Sequence, residues 1–340
     1  MFVVRIRKKS IFIGLFSALI CTFFAFLLKN SFYAGAQGDK NGFIKYAKFT
    51  PTYEVLEKAM FEDIKSHSED RPISWIDILA VLAVKYGGDF KKYKINDMNE
   101  VVERLKEGEC AEKIANGGKN FNYYKEVYGA VLCEFLGKYQ VRKRAKDGDK
   151  NDEWQEVYGL KAFSPIAKTF PFAHYDDFGA SRSYGYSRPH LGHDMMAAVG
   201  TPVIAVESGT VEIMGWNQYG GWRVGIRSFD KKRYYYYAHL RQNRPFHVDL
   251  KEGATVKAGD VIGYVGRTGY STKENVNNID KSHLHWGLEL IFDESQKECD
   301  NEIWIDLYAI TKLLEKNKSA VIRNNDTKEF YSEFEIKDSN

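Results

Sequence analysis

The chain has 340 residues, room for about two domains, and 44% of them are hydrophobic, an ordinary share for a protein with a real core. Its net charge is only +3, with no long basic block beyond the N-terminus and no nucleic-acid-binding motif, so nucleic acid is excluded as the expected partner. The four cysteines, Cys21, Cys110, Cys133 and Cys299, lack C-x-x-C spacing, which argues against a zinc knuckle or a thioredoxin-like site. Cys110 and Cys133 are able to pair in an oxidising compartment; packed free thiols are the simpler reading.

Residues 11–28 carry no charge and follow Arg5, Arg7, Lys8 and Lys9. At about 1.5 Å per residue such a stretch comes close to spanning a ~30 Å hydrocarbon core. The basic flank keeps that end cytoplasmic. Residues 1–30 therefore read as a single-pass signal anchor with the remainder of the chain outside the cytoplasm. A cleaved signal peptide is the rival: Ala34-Gly35-Ala36 suits cleavage and would release a secreted protein.

Residues 31–50 read as a polar linker with Gly35, Gly38 and Gly42. The pattern then turns helical. A first helix is expected over 51–66, and Ser74-Trp75-Ile76-Asp77 resembles a capping box. Ile76, Leu79, Ala80, Ala83 and Tyr86 recur at helical spacing, and Gly87-Gly88 terminates the run. Further helices are expected over 97–106 and 122–136. Residues 51–145 thus form a small helical accessory domain, whose apolar stripes are most simply its own core. The charge-rich stretch 142–152 reads as a linker or an exposed helix end, and the domain boundary is placed there.

From about 160 the texture changes to short apolar runs punctuated by glycine. Strands are expected over 202–206, 209–215, 222–227, 233–239, 261–265 and 283–290. Their close spacing implies an antiparallel sheet. A closing helix follows over 304–316, and 317–340 reads as a loose polar tail. The expected fold class is α+β: an anchor, a helical domain and an antiparallel β domain over 160–316.

Of the eight histidines only His67 precedes residue 174. His190 and Asp194 are four apart, which on a strand or a helix brings both side chains to one face, and His283 and His285 are two apart, so on a strand they also share a face. Two imidazoles and one carboxylate suit Zn²⁺ with an open position, although ligand type alone also admits nickel, cobalt or manganese. Either motif alone is weak. Together with His239 on a third strand they point to a hydrolytic metal centre.

The stretches Arg188-Pro189-His190-Leu191-Gly192-His193-Asp194, Gly200-Thr201-Pro202-Val203, Gly209-Thr210-Val211, Tyr237-Ala238-His239-Leu240, 256–269 and His283-Leu284-His285 resemble, in order, the lysostaphin-type (M23) zinc endopeptidases. The resemblance covers about 176–290. Residues 178–185 and 215–227 are most similar to the subgroup of sporulation enzymes that cut the L-Ala–D-Glu bond of peptidoglycan. The resemblance implies that His190, Asp194 and His285 bind zinc and that His239 and His283 are the catalytic histidines. It implies peptidoglycan stem peptides as substrate; no protein partner follows from it.

His193 is an extra histidine, expected on the opposite strand face. His174 and His247 match no family position and read as surface or packing residues. Trp216, Tyr219 and Trp222 either line the peptide groove or fill a hairpin core. Arg182, Arg223 and Arg227 are candidates for the carboxylates of a stem peptide. Two rival readings remain: a non-catalytic scaffold that uses the same β domain to bind a partner, and the same chemistry on a cross-bridge bond. The helical domain is in addition a candidate for covering the groove.

Overall fold

A computed structural model describes residues 43–117, 120–145, 152–297 and 301–338. The expected anchor at 1–30 lies outside the described residues, as do 31–42 of the linker, Cys21 and Cys299. Among the described residues no helix is long and apolar enough to cross a membrane. Lys48–Asn340 forms one unit. Cys110 and Cys133 are free thiols.

Five helices come first: α1 (Tyr53–Ser66), α2 (Trp75–Tyr86), α3 (Ile95–Lys106), the single turn α4 (Ala111–Ile114) and α5 (Phe121–Leu132). Helix α2 is apolar nearly all round because it is central: Ile78, Leu79, Ala80, Leu82 and Ala83 are fully buried, and α1, α3 and α5 pack on it. The expected capping box does not form. Ser74 sits at the N-cap but its side chain makes no capping bond. The Trp75 N–H donates instead to Asp63 Oδ2 of α1 at 2.9 Å, and Asp77 pairs with Lys125 at 2.7 Å. A tertiary carboxylate has taken the role of the local cap. Gly87 ends the helix at φ 62°, a left-handed conformation that glycine adopts without Cβ strain.

The stretch 142–152 is not a domain linker throughout. Its first residues complete strand β1 (Leu136–Lys143), which pairs antiparallel with β2 (Gln155–Leu160). The charges belong there because the strand is solvated: Arg142 and Arg144 both pair with Glu335.

The main sheet follows. Its strands are β3 (Phe172–Tyr175), β6 (His193–Ala197), β8 (Gly209–Asn217), β9 (Gly221–Ser228), β10 (Arg233–Ala238), β11 (Thr255–Val256), β13 (His283–Leu290) and β14 (Ile303–Trp304). They run in the order β11-β8-β9-β10-β13-β6-β3, with β14 also paired to β13. Two smaller ladders attach: β4 (Ser181–Tyr184) with β5 (Tyr186–Pro189), and β7 (Pro202–Ile204) with β12 (Val261–Tyr264). The closing helix α6 is confined to Tyr308–Leu314, since Trp304 is held in β14.

Strand β13 looks poorly alternating in sequence because both of its faces are buried. Leu284, Trp286, Leu288 and Leu290 enter the core at 0% exposure. His283, His285 and Glu289 line a groove on the opposite face. The neighbouring strand β10 divides its tyrosines the same way: Tyr235 and Tyr237 go to the core, Tyr234 and Tyr236 to the groove.

The expected loose tail forms strands over its described residues. Strands β15 (Val321–Arg323) and β16 (Phe330–Ser332) form a ladder, and β17 (Phe334–Asp338) adds to β1. Its polar composition misleads because an edge strand needs only one apolar anchor, here the buried Ile336.

Candidate metal centre

Pairing of β13 with β6 sets His285 beside Asp194 and His283 beside Met196. His190 precedes β6 and is 5% exposed. Three donor atoms then converge. His190 Nε2 lies 3.1 Å from Asp194 Oδ1 and 2.9 Å from His285 Nδ1, and His285 Nδ1 lies 2.9 Å from the same Asp194 oxygen. The donor set fits a divalent metal. Lone pairs facing one another at this separation repel unless a cation or a proton lies between them. Three ligands at zinc's bond length of about 2.0–2.1 Å stand only a little further apart. Among the described residues this is the one His/Cys/Asp/Glu cluster of that kind.

Each donor is held from behind. His190 turns Nδ1 to Asp177 Oδ1 at 2.8 Å, which leaves Nε2 for the centre. Arg182 bridges Asp177 and Asp194 Oδ2, the latter at 3.1 Å. Burial by itself raises the Asp194 carboxyl, but hydrogen bonds to His190 and His285 hold it far below the usual carboxylate range. Burial lowers His285, against the pull of Asp194. Gly192 lets that ring in: a Cβ there would stand 2.5 Å from His285 Cε1 and 2.9 Å from the Trp286 carbonyl oxygen.

His239 and His283 flank the cluster, their ring centroids 4.8 Å apart. His239 follows β10 at φ 60°, a strained left-handed position for a non-glycine residue. Its Nδ1 lies 2.9 Å from the Thr268 carbonyl oxygen, and His283 Nδ1 lies 2.8 Å from that of Lys281. A carbonyl only accepts, so Nδ1 carries a proton in each, and in a neutral ring of this tautomer Nε2 is the atom that holds the lone pair. Burial pushes His239 well below the ordinary histidine value, with His283 adding to the effect, so it is neutral at neutral pH.

A groove of about 700 Å³ runs over these groups. Tyr219 and Arg223 line it, as does Arg182. Arg182 is nevertheless already engaged with Asp177 and Asp194 rather than free for a ligand carboxylate. Trp216 is not among the lining residues. It pairs with Trp222 across the β8–β9 ladder and packs edge-on against it at 5.6 Å. Arg227 is also elsewhere, buried and paired with Glu294 at 2.5 Å. Among the described residues no part of α1–α5 lines the groove.

His193 points away from the cluster. Its Nε2 lies 2.9 Å from His174 Nδ1, and His174 Nε2 lies 2.8 Å from Glu315. Burial pushes His193 down to about 3. His247 is buried, with its ring centroid 4.8 Å from that of Tyr331. Sequence reasoning missed Asp177 and Arg188. The first had only a local acidic pair, Asp176-Asp177, as a signal. The second belongs to the His190 motif, but the motif assigns it no role of its own.

Residues 188–298 match the model of peptidase family M23. The chain is 37% identical over 224 residues to the L-Ala–D-Glu endopeptidase of Bacillus subtilis (strain 168), covering 65% of this chain and 63% of that one. It is 38% identical over 89 residues to the glycyl-glycine endopeptidase ALE-1 of Staphylococcus capitis, covering 26% of this chain and 23% of that one. The chain thus spans less than two thirds of the length of either relative. The solved catalytic domain of lysostaphin from Staphylococcus simulans is 28% identical, covering 42% of this chain and 92% of that one, with a TM-score of 0.32. M23 metallopeptidases are zinc-dependent, and the His190, Asp194 and His285 cluster lies inside the matched span. Residues 188–298 of this chain form a peptidase M23 domain.

Proposed function

We propose that this protein is an exported zinc endopeptidase that hydrolyses the L-Ala–D-Glu bond of peptidoglycan stem peptides, in spore cortex or cell-wall maturation, and is held at the membrane through residues 1–30. One observation carries the enzymatic reading: a three-donor cluster and two histidines, each with Nδ1 engaged by a backbone carbonyl, share one groove. In this reading His190, Asp194 and His285 hold the metal. A zinc ion there supplies Lewis acidity, which polarises a carbonyl and brings the pKa of water from ~16 to about 7. His239 and His283 do the proton work. The Nε2 of one takes a proton from the attacking water, and the same atom can return it to the leaving amine. The second histidine steadies charge developing on the scissile oxygen. The closed groove floor of Tyr234, Tyr236 and Ala238 keeps these groups partly desolvated, which strengthens each interaction.

The bond assignment is supported by the Bacillus relative, whose match extends beyond the M23 span. A second reading, cleavage of a cross-bridge, is supported by the resemblance to the glycyl-glycine enzyme. The scaffold reading is disfavoured because three metal-capable donors converge and His239 and His283 lie beside them.

The test is incubation of the zinc-loaded full chain with diaminopimelate-type muropeptides, read by mass spectrometry. A product that starts at D-Glu, leaving L-Ala on muramic acid, supports the proposal; another cut site replaces it with the second reading. His285→Ala is expected to lose zinc. His239→Ala is expected to keep zinc and lose about 10²–10⁴ in turnover. Zinc retained in the first variant, or full activity in the second, contradicts the roles assigned to these two histidines.

A further inference from the structure

The β4–β5 hairpin at the mouth of the groove places Arg182 directly opposite Arg188. Like charges in that position oppose strand pairing. The Arg182 charge is offset by Asp177 and Asp194. That of Arg188 is not: among the described residues no carboxylate pairs with it. Its one hydrogen bond is a long one, 3.4 Å to the Tyr184 carbonyl oxygen.

Arg188 is fixed all the same. Its guanidinium lies 4.7 Å from the centre of the Tyr219 ring and 5.4 Å from that of Tyr270. Aromatic faces hold a cation's position without consuming its N–H donors. The side chain lines the same groove as His190, Asp194, His239 and His283. A second guanidinium, Arg223, lines it too, and its buried Nε has no hydrogen-bond partner. Burial pushes the Tyr236 hydroxyl up, and the charges of both guanidiniums, Arg223 more than Arg188, pull it back. An oriented fork and an unused buried donor in one groove are built for a planar anion.

We propose that Arg188, backed by Arg223, is the subsite for a free α-carboxylate on the amine side of the scissile bond. The inference rests on the L-Ala–D-Glu reading above. A D-Glu that continues the stem through its side-chain carboxyl leaves its α-carboxylate free, on the carbon attached to the scissile nitrogen. A Gly–Gly bond presents no carboxylate there. The site therefore selects the acid by charge and by a two-pronged hydrogen bond.

The test compares kcat/KM of the zinc-loaded full chain on two muramyl peptides that differ only in this group, one a free acid and one a primary amide. The wild type is expected to favour the acid by about 10- to 100-fold, the scale of a hydrogen bond between charged groups. Arg188→Ala is expected to bring that ratio close to one. Arg188→Lys, which keeps the charge and loses the fork, is expected to fall between. Zinc content of each variant reports whether the neighbouring site is still folded. Equal cleavage of acid and amide by the wild type overturns the Arg188 inference and leaves the bond assignment standing. A wild-type preference that survives in Arg188→Ala also overturns it. Cleavage of neither peptide, with another peptidoglycan bond cut, removes the bond assignment and this inference together.

Discussion

At the residue scale, the centre depends on atoms that never reach the metal position. Asp177 Oδ1 lies 2.8 Å from His190 Nδ1, and this charge contact favours the ring orientation that turns Nε2 to the cluster. It also shares Arg182 with Asp194. Asp177→Asn keeps the shape and removes the charge. Zinc affinity is expected to fall about 10- to 100-fold, measured by competition against a chelator; unchanged affinity would show that the pair is incidental. His283 and His285 were legible in the sequence because residues two apart share a strand face, whereas His190 stands before β6 and reaches Asp194 from the connecting segment. Asp177 was not legible, because its partner is supplied by the folding of a loop against His190.

At the scale of elements, register decides what the groove contains. Side chains alternate along β9, so Trp222 and Arg223 cannot both enter the groove. Arg223 lines it, and Trp216, paired with Trp222, is carried to the other face. Aromatic composition alone placed Tyr219 and Trp216 together as candidates; the ladder separates them. The last strand, β17, similarly completes a sheet that began more than 190 residues earlier with β1. Removing residues 333–340 would withdraw the partner of β1, the anchor Ile336 and the Arg142–Glu335 ion pair. Loss of the apolar anchor alone costs about 1.5–3 kcal/mol. Urea unfolding should show a lower midpoint by at least that stability difference, and an unaltered midpoint would mean that the tail contributes nothing.

For the whole molecule, a buried arginine of the main sheet, ion-paired within the β region, also hydrogen-bonds to the helical region. Arg233 of β10 is 0% exposed. It donates to Glu207 at 2.8 Å, to the Ala130 carbonyl of α5 at 2.7 Å and to Cys133 Sγ at 3.3 Å. Tyr235 adds a 2.5 Å hydrogen bond to Glu207. Elsewhere, Tyr158 of β2 donates to Asp63 of α1 at 2.6 Å. These contacts make the helices part of the body that carries the sheet. Arg233→Ala leaves Glu207 buried without its counter-ion and is expected to cost about 3–5 kcal/mol. Helical and sheet signals are expected to melt together in the wild type; a helical region that melts separately, with the variant as stable as the wild type, would refute the coupling.

The donor set of this protein was determined locally: donor types and their spacing point to a divalent-metal site before any fold is known, and the order of the motifs carries the resemblance to the M23 peptidases. Tertiary structure decided which side chains confront one another. His190 meets His285 across 95 positions of chain, Arg233 meets Ala130 across 103, and Arg188 is left without a carboxylate partner among the described residues. Such pairings depend on strand register and on which face of a sheet is covered. No local pattern encodes them, because each partner comes from a distant segment whose position is set by the packing of the whole.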